Sequence, residues 1–396
     1  MSVIAGFVLV TVIMALGDVI SAKTKAFVPS VFIAAVLFLA GFWTFMPEDV
    51  IDIPGLGMPL ALVSMYLLLV HMGTLMSVRE LMAQWKTVVI ALSGVGGIVI
   101  ILLTIGRLFV DFEAIVAATP PLTGGIVAAL MMNEAAAAQG LDSIAILAIV
   151  MYVMQGFVGY PLTAIALKKE GKRLLKIFRD DGDELKSLQK DVVKEEMEEE
   201  SSFKIIPSLP EKYQTVFVIL AKLALVAWAS VAFTELIGGA VSEYVICLLF
   251  GVIAAEIGFL ERRPLNKANA FGWLMLSLMA YVFAQLSQAN PSMLAEIAGT
   301  LVIIIVLGVL AMAVVTMFVG KLLGYSKAMS FALSLTALYG FPPNYILTEE
   351  ASKALAENEE EKEFLMEQML PQMLVGGFTT VTIVSVILAG IFVNFL

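Results

Sequence analysis

Runs of about twenty apolar residues recur along the chain, and they restrict its fold more than any other feature. A helix of that length crosses the hydrocarbon core of a bilayer. Of the 396 residues, 60% are hydrophobic and 15% charged, whereas about 25% are charged in a typical soluble domain. The sequence therefore predicts an all-α integral membrane protein that crosses the bilayer many times.

Twelve apolar segments form two sets of six, separated by a charged linker at 168–212. The first six are 3–20, 27–46, 58–77, 87–109, 114–138 and 143–167. The last six are 213–235, 240–260, 271–288, 297–320, 328–348 and 370–396. No basic region or small-residue cleavage pattern accompanies the first segment, so we expect it to be retained as a span.

The two sets resemble copies of one unit. Val28-Pro-Ser-Val-Phe-Ile resembles Val241-Ser-Glu-Tyr-Val-Ile, and Gln155-Gly-Phe-Val-Gly resembles Gln372-Met-Leu-Val-Gly. A third pair, at Asn133-Glu-Ala-Ala and Glu349-Glu-Ala-Ser, lies between them in the same order. We interpret this order as an internal duplication, with repeats at 1–167 and 213–396.

Basic residues are concentrated in alternate loops, which predicts the orientation because short cytoplasmic loops retain Lys and Arg. Those assigned to the cytoplasmic side include Lys23, Lys25, Arg79, Lys86, Lys168, Lys169, Arg262, Arg263, Lys321 and Lys327. If every segment crossed fully, the sixth would end outside, yet it ends on the most basic stretch of the chain. Re-entrant hairpins at the fifth and eleventh segments remove this conflict. Each repeat then has five spans and one re-entrant hairpin, and the odd number of spans inverts the second repeat. Both termini are expected outside a bacterial or archaeal inner membrane.

Helix-breaking residues lie inside both predicted hairpins. The first contains Thr119-Pro-Pro-Leu-Thr-Gly-Gly and the second Tyr339-Gly-Phe-Pro-Pro-Asn. Irregular backbone at membrane depth is tolerated only against protein or a water-filled cavity, and transporters bind their substrates at such breaks. The predicted substrate-binding residues are Thr123, Gly124, Gly125, Asn133, Pro342, Pro343 and Asn344. The alternative is that these residues mark surface loops between ordinary spans.

Polar residues near the breaks are the candidates for binding or coupling an ion. They are Glu134, Thr348, Glu350, Gln155 and Gln372. An ionisable group at membrane depth is costly and suggests a function, but Glu349 and Glu350 border an acidic stretch and could lie in cytoplasmic water. The two glutamines could equally be hydrogen-bond contacts between helices. His71 and Arg79 are expected to anchor the third segment at the interface.

Composition also excludes several classes of protein. A single cysteine, Cys247, and a single histidine rule out a disulfide framework and a four-ligand Cys/His metal site. They also offer no credible Ser/His/Asp or Cys/His catalytic set. There is no phosphate-binding loop for ATP and no basic, aromatic-rich patch for nucleic acid. We therefore expect no enzyme activity and no organic cofactor, with transport driven by an ion gradient or by the substrate itself.

Three stretches resemble the bacterial sodium/glutamate symporters and, more distantly, the sodium/2-hydroxycarboxylate symporters. They are Leu122-Thr-Gly-Gly, Gly340-Phe-Pro-Pro-Asn and Leu370-Pro-Gln-Met-Leu-Val-Gly-Gly. The resemblance implies a homodimer, a transport domain that carries both hairpins, and elevator-type alternating access with sodium as the coupling ion. After the glycine pair, Ile126-Val127-Ala128 stand where the family has His-Gly-Thr.

The leading hypothesis is sodium-coupled symport of a small anionic solute, either an amino acid such as glutamate or a carboxylate. One alternative is a proton-coupled antiporter or exporter in which Glu134, with Glu350, carries the proton. The other is a membrane sensor without transport activity, which would need an output domain larger than the 168–212 linker.

Overall fold

The computed structural model describes residues 1–75, 82, 84–180, 206, 210, 213–238, 241, 243–289 and 291–396. Within these ranges the chain forms helices and turns, and no strand. Arg79 and most of the charged linker lie outside the described residues. The fold class expected from the apolar runs, an all-helical protein, is confirmed.

Eight helices cover the described part of the first half and the start of the second. They are α1 (Val3–Lys23), α2 (Ser30–Thr44), α3 (Met58–Gly73), α4 (Trp85–Thr104), α5 (Phe112–Leu122), α6 (Ile126–Ala138), α7 (Asp142–Asp180) and α8 (Val216–Leu236). Hydroxyl groups cap two of them: Ser2 accepts a hydrogen bond from the backbone N–H of Ala5, and Thr215 from that of Val218. Such caps satisfy N–H groups that a helix start leaves without a partner.

Among the described residues of the second half, seven further helices of two or more turns follow, besides the single turn Pro264–Lys267. They are α9 (Glu243–Glu256), α10 (Phe271–Ala284), α11 (Pro291–Leu322), α12 (Lys327–Leu335), α13 (Pro343–Leu355), α14 (Glu359–Phe378) and α15 (Ser385–Phe392). A 3₁₀ turn at Thr336–Leu338 extends α12, and a π-helical turn at Thr379–Val384 joins α14 to α15.

Within the part of the chain that the structure describes, six helical stretches are long and apolar enough to cross a membrane: Val3–Lys23, Trp85–Leu108, Asp142–Asp180, Val216–Leu236, Leu294–Leu322 and Glu359–Phe395. The other four predicted spans contain α2, α3, α9 and α10, which have only 14 to 16 residues each. A 16-residue helix is about 24 Å long, shorter than the roughly 30 Å hydrocarbon core. These four helices therefore need flanking residues or a locally thinner bilayer to span it.

Two charged stretches are more ordered than their composition suggests. Residues 168–180, which we assigned to the linker, continue α7 as far as Asp180. Leu175 and Phe178 are buried there, so packing and the high helix propensity of Lys, Arg and Leu extend the helix. The acidic stretch 349–367 is divided between α13 and α14, and Asn358 caps α14 by accepting from the Glu361 N–H.

The chain folds into two compact units. The first contains Met1–Pro54, Gln84–Lys172 and Val282–Leu396, so it carries both predicted hairpins. Its centre is the packing of α4 on α11, where Gly94 and Gly97 let α4 approach Thr316 and Val315. Because neither glycine has a side chain, the two helices interlock closely.

The second unit contains Gly55–Ala83 and Arg173–Tyr281. Its helices α3 and α9 meet at Gly73 and Gly251, where a Cβ on either glycine would lie 2.2 Å from a carbonyl oxygen of the other helix. Lys222 pairs with Glu261 at 2.6 Å in a largely buried position. Close backbone packing and a buried ion pair therefore hold this unit together.

Candidate functional site

The first predicted hairpin is two helices joined by a tight break. Helix α5 ends at Leu122 and α6 begins at Ile126. Gly124 and Gly125 between them have φ values of +108° and +88°, which side chains with a Cβ rarely adopt. Thr123 is fully buried, and its hydroxyl donates to the Pro120 carbonyl. The sequence Thr-Gly-Gly thus forms the turn that the glycine pair predicts.

The second predicted hairpin is also interrupted. After the 3₁₀ turn at Thr336–Leu338, Gly340 has a φ of +65°, and the Phe341–Pro342 peptide bond is cis. Helix α13 then begins at Pro343. Asn344 is fully buried, with its side-chain amide donating to the Met373 carbonyl and its Oδ1 accepting from the Tyr345 N–H. This hydrogen bonding fixes the start of α13 against α14.

A third interruption was not expected from the sequence. The π-helical turn at Thr379–Val384 follows Gly376 and Gly377. Within and beside the turn, the Thr380 hydroxyl donates to the Gly376 carbonyl and the Ser385 hydroxyl to the Val381 carbonyl. Wide turns of this kind are rare in proteins, and those that occur often lie at functional sites.

The three interruptions meet at one place, which we call the junction. A Cβ added to Gly124 would lie 2.7 Å from the Ala337 carbonyl oxygen and 2.5 Å from a methyl group of Val381. One added to Gly125 would lie 2.7 Å from the Val381 carbonyl oxygen, and one on Gly340 would lie 3.0 Å from Val381. Val381 therefore contacts the backbone of both hairpins, which lie within one compact unit.

Helical periodicity assigns Gln155 of α7 to the face that packs on both hairpins. Ala148, seven residues earlier on the same face, shares a hydrophobic cluster with Ala128 and Met132 of α6. Gly159, four residues later, packs so closely on Leu338 and Tyr339 that a Cβ there would lie within 3.0 Å of both. Positions before and after Gln155 on this face of α7 therefore pack on the first and the second hairpin, respectively.

The amide of Gln155 is buried and lacks partners. The residue is 1% exposed, and neither its Nε2 nor its Oε1 has a hydrogen-bond partner among the described residues. An unpaired buried amide costs about 1–3 kcal/mol, so such groups in folded proteins call for an explanation. A bound polar solute or ion would supply the missing contacts.

The two hairpins differ in the backbone groups they offer. Gly125 precedes α6, and no side chain caps the N–H groups of its first turn. At the start of α13, Pro342 and Pro343 have no N–H group, and the Tyr345 N–H is already bonded to Asn344. An anion would therefore find donors at the start of α6, while the Ala337 and Val381 carbonyl oxygens nearby suit a cation.

Three other predicted polar residues have partners inside the protein. The Asn133 amide donates to the Ala145 carbonyl at 2.8 Å, and the Thr348 hydroxyl donates to the Asn344 carbonyl. Gln372 donates to the Gln368 carbonyl, but its buried Oε1 has no partner in the described part of the chain. In Gln372, as in Gln155, an amide oxygen is thus left unsatisfied.

The two predicted acidic residues lie away from the junction. Glu134 is exposed, eight residues beyond the start of α6, which corresponds to about 12 Å along the helix. Glu350 accepts hydrogen bonds from the Ser30 N–H at 3.1 and 3.2 Å, at the beginning of α2. Pro29, which precedes α2, makes no side-chain cap, so Glu350 supplies the cap from another helix.

His71 was expected to anchor α3 at the membrane interface, but the structure buries it inside the protein. It is 1% exposed, and its Nδ1 accepts a hydrogen bond from the Leu265 N–H within the second compact unit. Its ring lies 5.3 Å from that of Phe271. His71 therefore holds a loop in a packed interior, because its ring is surrounded by protein instead of the membrane surface.

The sequence reasoning missed Val381 and Tyr339. A signal for the first was present, since all six residues of Thr379–Val384 are β-branched and such residues fit a helix poorly. Tyr339 was part of the quoted motif but was not assigned a role. Its hydroxyl donates to Thr163 at 2.7 Å, and its ring lies 5.4 Å from that of Tyr160.

Few side chains that could bind a metal ion lie close to one another in the described part of the chain. No cluster of three or more His, Cys, Asp or Glu side chains occurs among the described residues. Any coupling ion at the junction would therefore depend on carbonyl, hydroxyl and amide oxygens, which are acceptable ligands for hard cations.

No family model matches the chain, and no curated protein matches it either.

Proposed function

We propose that the protein is a secondary active transporter that couples sodium to the symport of a small anionic solute, an amino acid or a carboxylate. The solute and the ion bind at the junction. The observation that carries the proposal is the buried, unpaired amide of Gln155, on the α7 face that packs on both hairpins. Its Nε2 would donate to a carboxylate of the solute, and its Oε1 would contact the cation or another donor of the solute.

The backbone at the break in the first hairpin supports an anionic solute. The first turn of α6 carries N–H groups without a side-chain cap, and the positive end of the helix dipole is located there. Because Gly124 and Gly125 have no Cβ, the Ala337 and Val381 carbonyl oxygens can approach their backbone closely. Sodium would bind the carbonyl side of the junction, near Ala337 and Val381.

The order of helices supports two repeats. Both halves run long, short, short, long, broken pair, long, beginning with the 21-residue helices α1 and α8. Inverted repeats whose broken helices form the site are typical of secondary transporters. Both hairpins belong to one compact unit, as an elevator-type movement of that unit would require, and we include this movement in the proposal. The proposal also includes the homodimer that the resemblance to known symporters implies.

The test is uptake of labelled amino acids and carboxylates by proteoliposomes, with an inward sodium gradient or with potassium in place of sodium. Uptake of at least one anionic solute only with sodium is the expected result. Uptake that is equal in potassium would contradict sodium coupling. Transport driven by a pH gradient without sodium would instead support a proton-coupled antiporter, and Glu134→Gln would then be the informative variant.

A matched pair of glutamine variants tests the site itself. Gln155→Leu should abolish uptake while raising the free energy of unfolding by about 1–3 kcal/mol, because an unsatisfied buried amide is removed. Gln139→Leu changes an exposed glutamine just after α6 and should leave uptake unchanged. Normal uptake by Gln155→Leu would show that the junction is not the binding site.

A further inference from the structure

Three lysines, which we call the lysine cluster, lie together where two long apolar stretches end. Lys25 follows α1, and Lys168 and Lys172 lie on α7 just after its apolar part, 143–167. The Lys168 Nζ donates a hydrogen bond to the Lys25 carbonyl at 2.6 Å, and all three residues belong to the first compact unit. This bond places the ends of the two apolar stretches at one level, as expected at the surface of a membrane.

The turn between α1 and α2 holds Lys25 in this position. The Lys25 N–H donates to the Ala22 carbonyl, and the Ala26 N–H donates to the Ser21 carbonyl. These two hydrogen bonds end α1 and satisfy carbonyl groups that its last turn leaves without a helical partner. The Lys25 carbonyl is thus free to accept from Lys168.

The lysine cluster has no counter-charge. None of its ammonium groups pairs with a carboxylate among the described residues, and the charges that act on Lys168 are those of Lys172 and Lys25. Lys168 and Lys172 are four residues apart on α7, a spacing at which like charges destabilise a helix. A bound anion would offset this repulsion, so the cluster has the charge of an anion-binding surface.

Apolar side chains are exposed beside the cluster. Phe27, two residues after Lys25, is 69% exposed, and Ile165 of α7 is 54% exposed. Ile165, Lys168 and Lys172 are three and four residues apart, so they follow one face of α7. An apolar surface that continues into a basic one matches a phospholipid, which has acyl chains and a phosphate. A free phosphate would leave the apolar side chains without a partner.

We propose that the lysine cluster binds the phosphate of an anionic phospholipid, whose acyl chains pack on Ile165 and Phe27. Lys168 has three N–H donors, of which one is used on the Lys25 carbonyl. The remaining donors of the cluster supply charge-assisted hydrogen bonds to the phosphate. Because the cluster includes the turn after α1 and a part of α7, the bound lipid holds these two elements together.

Thermal unfolding of the full-length protein in detergent tests the proposal without requiring transport. The added probes are phosphatidylglycerol, phosphatidylcholine and inorganic phosphate. We expect phosphatidylglycerol to raise the unfolding temperature at a lower concentration than phosphatidylcholine, and inorganic phosphate to have no effect. Equal responses to the two lipids, no response to either, or stabilisation by inorganic phosphate as large as by phosphatidylglycerol would overturn the proposal.

A double variant tests the location of the lipid. Lys168→Gln/Lys172→Gln removes two of the three charges of the cluster. We expect the concentration of phosphatidylglycerol that gives half of the stabilisation to rise about 25-fold, since each lysine near an anionic lipid contributes roughly a factor of five. The control, Lys321→Gln/Lys327→Gln, removes the same charge from exposed positions at the end of α11 and the start of α12. It should leave this concentration nearly unchanged.

A charge-conserving variant separates lipid binding from folding. Lys168→Arg/Lys172→Arg should respond to phosphatidylglycerol as the unsubstituted protein does, because arginine also binds phosphate. A response as weak as that of the glutamine variant would contradict charge recognition. Equal weakening in the Lys321/Lys327 control would show that overall charge attracts the lipid, and an unchanged response in Lys168→Gln/Lys172→Gln would place the lipid elsewhere; both results overturn the proposal. None of these outcomes bears on sodium-coupled uptake, which is tested separately.

Discussion

Replacement of Gly125 by alanine tests how tightly the junction is packed. Gly125 has φ +88° and ψ 126°, and a residue with a Cβ in such a conformation costs about 1–3 kcal/mol. The new methyl group would also lie 2.7 Å from the Val381 carbonyl oxygen and 2.9 Å from the Ser385 hydroxyl. Overpacking of this kind costs roughly a further 1–3 kcal/mol. We therefore expect the free energy of unfolding to fall by about 2–6 kcal/mol, with loss of uptake.

Gly140 provides the matched control. Its φ is +74°, but a Cβ there would meet nothing within 4 Å, so Gly140→Ala carries only the backbone cost of about 1–2 kcal/mol. Both variants should be compared by thermal unfolding in detergent and by uptake into proteoliposomes. If Gly125→Ala and Gly140→Ala lose equal stability and transport equally well, the close contact of Gly125 with Val381 and Ser385 adds nothing to stability or transport, and the prediction is wrong.

Three further predictions concern the fold around the site. Lys222→Met should lower the free energy of unfolding by about 3–5 kcal/mol, because it leaves the buried Glu261 carboxylate uncompensated. The double variant Lys222→Met/Glu261→Gln should recover most of this loss. If it does not, the ion pair is not the cause of the loss. Gly73→Ala should destabilise by about 3 kcal/mol or more through contact with the α9 backbone, whereas Gly272→Ala has open space and should be nearly neutral. Glu350→Ala should cost about 1.5–3 kcal/mol by removing the charged cap of α2, and a loss as large in Glu349→Ala would argue against the cap. All three are measured by unfolding of the purified protein in detergent.

Much of the helical layout could be predicted from local sequence. Apolar length located the helices, and Gly124-Gly125 and Pro342-Pro343 located two of the helix breaks, because glycine and proline restrict the backbone directly. The end of α7 could not be predicted in this way. Leu175 and Phe178 extend that helix through their burial, and burial is a tertiary property that charge and hydropathy do not report.

The site was only partly predictable for the same reason. Thr123, Gly124 and Gly125 lie at the junction, but the contact of the glycines with Val381 joins residues far apart in the chain. Asn344 and Asn133 are polar residues in the predicted segments, yet their amides bond to nearby carbonyls. Sequence identifies a polar group in an apolar segment, whereas only the structure distinguishes a satisfied amide from an unsatisfied one.

Tyr339 fastens the break in the second hairpin to α7. Its hydroxyl donates to Thr163, its ring lies beside that of Tyr160, and a Cβ on Gly159 would lie 2.8 Å from it. A rearrangement of this break must therefore either break the bond from Tyr339 to Thr163 or carry α7 along. Movements of the second hairpin and of α7 are thus mechanically coupled.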